Sequence, residues 1–191
     1  MLNRLKYLCC VIALCFVCNL HAPQAYAMTV EQAYRAIPHT RTQFDPMRSN
    51  LDRETKIYLM NLFELTDIAV VMRVELESAL MYDKTIDIRK YMRIYESILG
   101  EMEKLETPER LKRVPVYILE ALRDQITFLQ EWYSADENIR DSYTKYQQNE
   151  LVRAANRSLV LAYKELLSRL PHESRYNKQS FFNHLCALDF I

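Results

Sequence analysis

The chain has 191 residues, and its 25 basic residues balance its 25 acidic residues, so the formal net charge at pH 7 is zero. Because proteins that bind nucleic acid need a basic surface, this balance argues against nucleic acid as a partner. The sequence contains a single glycine, Gly100. Phosphate-binding loops, dinucleotide-binding turns and nucleophile elbows need glycine at defined positions, and the sequence therefore excludes these motifs.

The first 27 residues have the organisation of a secretory signal peptide. Arg4 and Lys6 precede an apolar run at residues 7–18, and a polar stretch follows that ends in Ala25-Tyr26-Ala27. The run is shorter than the roughly 20 residues of a membrane-spanning helix, and the two alanines suit signal peptidase. We therefore predict cleavage before Met28 and no transmembrane anchor after cleavage. The protein would be periplasmic if its source is a Gram-negative bacterium, and otherwise secreted.

Four of the five cysteines lie in or next to the apolar run of the signal peptide. Lipid attachment prefers a small residue before the acylated cysteine, and leucine, cysteine, leucine and valine hold those places here. We therefore favour a cleaved, soluble form over a lipid-anchored one. Cleavage would leave Cys186 alone, which excludes an internal disulfide framework. Cys186 is then either a small buried hydrophobe or an intermolecular thiol that pairs with another chain.

The mature chain is predicted to be all-α. Scarce glycine disfavours a sheet built from hairpins, and apolar residues recur at steps of three and four along most of the chain. We expect a short helix near residues 29–36 and a long helix from about 49 to 82. A capping box formed by Ser49 and Asp52 would begin the long helix. This helix would be central, because residues 68–72 are apolar on every face.

Three further long helices are predicted in the rest of the chain. The first covers residues 87–106, where apolar positions have the spacing of a packing seam. Thr107 would then act as the N-cap of a short turn at 108–112, before a helix at 115–134. The last runs without interruption from about 136 to 170, where a proline ends it.

Four long helices with short connections predict an up-down-up-down four-helix bundle over residues 49–170. The signal peptide at 1–27 and an N-terminal segment at 28–48 precede this bundle. An amphipathic C-terminal tail at 171–191 follows it and includes a short helix near 177–188. We expect the short flanking helices to pack on the ends or sides of the bundle.

An irregular segment between two prolines is the first candidate site. It places His39, Arg41 and Asp45 within seven residues, a set that could bind an anionic ligand or perform acid-base chemistry. The structural alternative is that Arg41 and Asp45 form a local ion pair while Phe44 holds the segment against the bundle. Both interpretations remain open at this point.

The C-terminal tail is the second candidate site, because apolar residues are dense behind a polar spacer. It could fold back over the bundle or serve as a docking element for another protein. In the docking interpretation the partner-binding residues would be Phe181, Phe182, Leu185, Phe190 and Ile191.

We predict no metal site and no cofactor. The chain has no Glu-x-x-His pair for a di-iron centre and no Cys-x-x-Cys-His motif for covalent haem. Methionines at helical spacing are typical of core filler. Charged residues inside the long helices, such as Glu64, Asp67 and the pair of Arg73 and Glu77, are either solvated or paired within the bundle.

The leading functional interpretation is an exported, non-enzymatic helical-bundle protein that binds another protein or an envelope component. Contacts would come from the C-terminal tail and from tyrosine-bearing helix faces, since tyrosine combines apolar area with a polar tip. These tyrosines are Tyr91, Tyr95, Tyr117, Tyr133, Tyr143, Tyr146 and Tyr163. The alternative is a binder of a small ligand or cofactor, perhaps an enzyme, that uses His39, Arg41 and Asp45. A third interpretation is a larger assembly joined through Cys186.

Overall fold

A computed structural model describes residues 28–37, 39–81, 87–134 and 147–189, and these residues form helices and loops without a strand. The predicted signal peptide lies outside this part of the chain, as do Phe190 and Ile191. Six α-helices and two 3₁₀ helices are present in the described ranges. They are α1 Val30–Ala36, a 3₁₀ turn at Pro46–Arg48, α2 Arg53–Met81, α3 Ile88–Lys104, a 3₁₀ turn at Glu109–Leu111, α4 Arg113–Ser134, α5 Glu150–Arg169 and α6 Arg175–Leu188. The prediction of an all-α fold is confirmed.

Helices that are neighbours in the chain pack against each other from α1 through α6, and α6 also packs against α2. This arrangement is compatible with a helical bundle. The segment Ala69–Met72 of α2 is at most 1% exposed, as expected from a run that is apolar on every face. Measured over the described residues, none of these helices has the length and apolar character needed to cross a bilayer.

The predicted capping box at the start of α2 is wrong. The side chain of Asp52 accepts a hydrogen bond from the backbone N–H of Thr55 at 2.8 Å, and the Asp52 carbonyl accepts one from Lys56. Asp52 therefore occupies the N-cap place. Ser49 lies before the helix, where its hydroxyl accepts from the backbone N–H of Leu51 at 3.2 Å and donates to the buried carboxylate of Glu173.

Two other predicted helix starts also need correction, because other residues occupy the N-cap places. Thr107 does not cap the turn at Glu109–Leu111, because Pro108 occupies the N-cap place and no described side chain bonds to the first N–H groups. The hydroxyl of Thr107 donates instead to the carbonyl of Leu105 at 3.2 Å. The last long helix does not run through Asn149, which is extended and caps α5 by accepting from the N–H of Leu151 at 2.8 Å. Asparagine competes for backbone groups and so favours a helix end over a helix interior. Residues 135–146, where that helix was predicted to begin, lie outside the described ranges.

Candidate functional site

A buried carboxylate on α2 joins three parts of the chain. Asp67 is 4% exposed. The hydroxyl of Tyr34 on α1 donates to Oδ1 of Asp67 at 2.7 Å. Arg41, in the segment after α1, donates to Oδ2 from Nε at 3.0 Å and from Nη2 at 2.6 Å. This two-point contact orients the guanidinium as well as balancing the charge.

His184 brings α6 to the same carboxylate. Its Nε2 lies 3.4 Å from Oδ1 of Asp67, and its Nδ1 lies 2.8 Å from the carbonyl oxygen of Ser180. Both ring nitrogens therefore face oxygen atoms. The ring also stacks on Phe63 with centroids 4.6 Å apart. Because His184 is 2% exposed, this contact lies inside the core.

The protonation states of the cluster follow from these contacts. Burial raises the pKa of Asp67, but hydrogen bonds from His184, Tyr34 and Arg41 outweigh it and hold that pKa below its ordinary value of 3.8. Burial and the neighbouring Asp67 charge raise the pKa of Tyr34. At neutral pH the centre is therefore a carboxylate that accepts from a guanidinium and a neutral phenol. We call Tyr34, Arg41, Asp67 and His184 the Asp67 cluster.

The lowered pKa of Asp67 predicts a defined loss of stability in acid. A carboxylate with a depressed folded-state pKa stabilises the fold above its unfolded pKa, and that contribution is lost as the pH falls through the folded-state value. We expect the difference in unfolding free energy between the wild type and Asp67→Asn to shrink below pH 3.8. Urea unfolding of both proteins across an acidic pH series measures this difference. A difference that stays constant down to about pH 2 would contradict the assignment of Asp67 as the titrating group.

The candidate set His39, Arg41 and Asp45 is only partly brought together. His39 and Arg41 line a cleft of about 430 Å³, together with Glu31, Tyr34, Arg35, Ile37 and Thr40. Asp45 does not line it, because its carboxylate pairs with Arg48 at 3.0 Å and accepts from the backbone N–H of Met47. The predicted local ion pair between Arg41 and Asp45 is therefore wrong.

Arg41 is drawn away from Asp45 because a buried carboxylate needs compensation more than an exposed one does. Its remaining terminal nitrogen, Nη1, donates to Glu31 at 2.7 Å. Two carboxylates thus hold the guanidinium, and an anionic ligand in the cleft would compete with Glu31 for it. Partial burial and the charge of Arg73 lower the pKa of His39, against the opposing effect of Asp189. These contacts leave His39 neutral at pH 7.

Phe44 holds the irregular segment against the core, as the structural alternative expected. It is 8% exposed, and its ring lies 6.4 Å from Phe63 and 6.1 Å from Phe181, centroid to centroid. Phe63 and Phe181 also stack on each other at 5.6 Å. This aromatic group joins the segment after α1 to α2 and α6.

The predicted partner-binding residues of the tail separate into buried and exposed positions. Phe181 and Leu185 are 0% and 2% exposed and belong to the core, whereas Phe182 is 44% exposed. The other two, Phe190 and Ile191, lie outside the described residues. The described part of the tail therefore folds back onto the helices.

Buried polar side chains fix both ends of α6. At its C-terminal end, Nη2 of Arg73 donates to the carbonyl of Ala187 at 2.9 Å, and Nε2 of Gln125 donates to that of Leu188 at 2.6 Å. Such bonds satisfy carbonyls that have no partner within the helix. At its N-terminal end, Asn177 donates to the carbonyl of Asp45 at 2.9 Å. No sequence motif identifies these residues. The sequence shows only that a charged or amide residue stands among apolar residues of a helix.

Cys186 and the charged pair of α2 can now be placed. Cys186 is half-buried and forms no disulfide with a described residue, and burial and Asp189 raise the pKa of its thiol. Arg73 and Glu77 form a largely buried ion pair at 3.0 Å, which selects the paired alternative for these two residues. Within the described ranges, no three His, Cys, Asp or Glu side chains lie close enough to hold a metal ion.

One exposed helix face combines basic and apolar side chains. At 3.6 residues per turn, seven exposed residues of α5 fall within an arc of about 100°, and they include Glu150 and Ser168. The other five are basic or apolar: Arg153, Arg157, Val160, Leu161 and Lys164. We call these five residues the α5 face. Val160 and Leu161 are 42% and 44% exposed. Next to this face, Tyr163 contacts Phe182 of α6 edge-on at 5.6 Å.

Comparison with models of known protein families, with curated proteins and with solved structures found no match. The chemistry of the two candidate regions therefore follows from their own geometry. In the Asp67 cluster, the carboxylate and imidazole are buried and saturated with partners, which suits holding helices together. The α5 face is exposed and suits contact with another surface.

Proposed function

We propose that this chain is an exported, non-enzymatic helical-bundle protein that binds another protein or an envelope component through the α5 face and the adjoining Phe182. In this proposal α2 to α5 form an up-down-up-down four-helix bundle, and the signal peptide directs export. The observation that carries the proposal is the exposure of Val160, Leu161 and Phe182 on adjoining helices. Clustered exposed apolar side chains on a soluble chain are typical of interaction sites.

The Asp67 cluster supports a binding role over catalysis. A general acid or base must reach the proton it transfers. Asp67 and His184 are 5% and 2% exposed in their side chains, so neither reaches a substrate in this conformation. Their contacts instead join α1, α2 and α6, which gives the α5 face a fixed scaffold through the contact between α5 and α6.

The cleft near His39 supports a second candidate, a small-ligand site. Concave sites with a few polar groups are the usual places for small molecules. Its cationic lining includes Arg35, which is exposed and forms no ion pair with a described residue. Arg41 already pairs with Glu31 and Asp67, so a ligand would have to displace Glu31 to bind it, and we therefore rank the small-ligand site second.

Fractionation and native mass spectrometry of the exported protein test the first proposal. We expect the wild type to be retained in the envelope fraction or to appear in a complex. The double variant Val160→Asp, Leu161→Asp should instead be recovered as a free chain, because each aspartate must be desolvated at the contact. The matched control Ile57→Asp, Met60→Asp changes two residues of α2 that are 46% and 47% exposed, and it should behave as the wild type.

Two results would contradict this proposal. One is a wild-type protein that is released as a free chain at physiological salt. The other is equal release of the α5 and α2 double variants, which would show that the α5 face has no special role. A mass equal to the mature chain plus a small molecule would favour the cleft.

A further inference from the structure

We propose that the partner of the α5 face is an anionic lipid surface. This inference rests on the proposed function and specifies its partner. Around the helix axis, the three cations of the α5 face lie between its two exposed aliphatic side chains. Phe182 adds a third exposed apolar side chain on α6, where it contacts Tyr163 of α5. A helix face that combines basic residues with leucine and phenylalanine can insert its apolar side chains at the headgroup boundary while its cations bind anionic headgroups.

The charge of this region differs from that of the whole chain. Residues 150–189 contain six Lys and Arg against four Asp and Glu, although the full chain is neutral. Two of these four acids contribute little negative charge to the surface. Glu173 is 6% exposed, and Glu165 pairs with Arg169 at 2.8 Å with 15% of its side chain exposed. Glu150 lies on the same side of α5 as the three cations of the α5 face, with its carboxylate 3.8 Å from Arg153, and Asp189 accepts a hydrogen bond from Asn156 of α5. The charge of Asp124 on α4 acts on Arg157. Neighbouring acids therefore balance part of the positive charge of the α5 face, and residues 150–189 keep an excess of two basic residues.

Charge and shape favour a lipid surface over other occupants. In a two-fold dimer the same patch meets itself, so the cations of the α5 face would oppose those of a second copy. Nucleic acid would gain nothing from exposed Val160 and Leu161, which offer neither base stacking nor hydrogen bonds. A single helix crest is convex, and a fluid bilayer surface can adapt to it, whereas a protein partner would need a matching groove.

Vesicle sedimentation of the exported protein tests the lipid inference. The mass of the protein is measured first, to show that the apolar signal peptide has been removed and does not contribute to vesicle binding. We expect binding to vesicles of phosphatidylcholine mixed with phosphatidylglycerol and little binding to phosphatidylcholine alone. Binding should fall as salt rises from about 0.1 M to about 1 M, because the Debye length shrinks from about 10 Å to about 3 Å.

A matched pair of triple variants tests whether the α5 face carries the binding. Replacing Arg153, Arg157 and Lys164 with glutamine should weaken binding about fivefold for each cation, or on the order of 100-fold in total. The control replaces Arg89, Lys90 and Arg93 on the exposed surface of α3 with glutamine. Both variants lose the same net charge, but the control should keep the wild-type affinity.

Three results would overturn the lipid inference. They are equal binding to neutral vesicles, equal weakening by the two triple variants, and no vesicle binding at all. If vesicle binding fails but native mass spectrometry shows a protein complex that requires Val160 and Leu161, the lipid partner is wrong and the proposed function stands. If neither assay depends on the α5 face, both proposals fail.

Discussion

Replacing Asp67 with alanine should lower the free energy of unfolding by about 3–5 kcal/mol, because removing one partner of a buried charge cluster leaves the others uncompensated. In this variant the Nε and Nη2 groups of Arg41 lose their acceptor, and so does the hydroxyl of Tyr34. His184 remains buried with one of its two oxygen partners. The cost exceeds that of a lost surface ion pair because these groups cannot regain water without opening the core.

Urea unfolding measures this effect, and a surface pair supplies the control. Glu103 accepts from Arg123 at 2.6 Å, but both side chains are about half exposed. Glu103→Ala should therefore cost less than about 1 kcal/mol. A loss for Asp67→Ala no larger than that for Glu103→Ala would show that the Asp67 cluster does not stabilise the fold.

The double variant Asp67→Ala, Arg41→Ala tests whether the two residues act as a unit. If they do, the double variant should lose less stability than the sum of the single variants, with a coupling of about 0.5–3 kcal/mol. Additive losses would mean that each side chain contributes through separate contacts.

The helices could be predicted because their apolar spacing is a local property. Steps of three and four residues mark the buried side of α5, where Ala155, Leu159, Ala162 and Leu166 are at most 3% exposed. The helix ends depend on single hydrogen bonds, which are harder to predict. Ser49 and Asp52 are both good N-caps by residue type, but in the structure Asp52 accepts from Thr55 while the hydroxyl of Ser49 bonds to Glu173, 124 residues away.

The Asp67 cluster could not be assembled from the sequence for a similar reason. Asp67 is paired inside the core only because Arg41 and Tyr34 reach it from 26 and 33 residues away. Sequence proximity instead favoured a pair between Arg41 and Asp45. The tail shows the same effect, because its apolar residues were equally compatible with docking and with folding back until α6 was placed against α2 and α5.

Truncating two adjacent phenylalanines of α6 should have very different effects on the free energy of unfolding. Phe181 is 0% exposed and stacks on Phe44 and Phe63, so Phe181→Ala should lower the free energy of unfolding by about 3–5 kcal/mol. Phe182 is 44% exposed, so Phe182→Ala should change it by no more than about 0.5 kcal/mol. The two variants remove the same atoms at neighbouring positions, and urea unfolding of both therefore isolates the effect of burial.

The same pair separates stability from binding. Under native conditions Phe182→Ala should weaken vesicle binding, because it removes apolar area beside the α5 face, while Phe181→Ala should retain binding as long as the protein stays folded. Deleting the tail from Phe181 onward cannot make this distinction. It would remove Leu185 and Leu188 from the core and leave the buried side chain of Gln125 without the Leu188 carbonyl. If Phe182→Ala destabilised the fold as much as Phe181→Ala, Phe182 would be a core residue, and its place in the proposed contact surface would be lost.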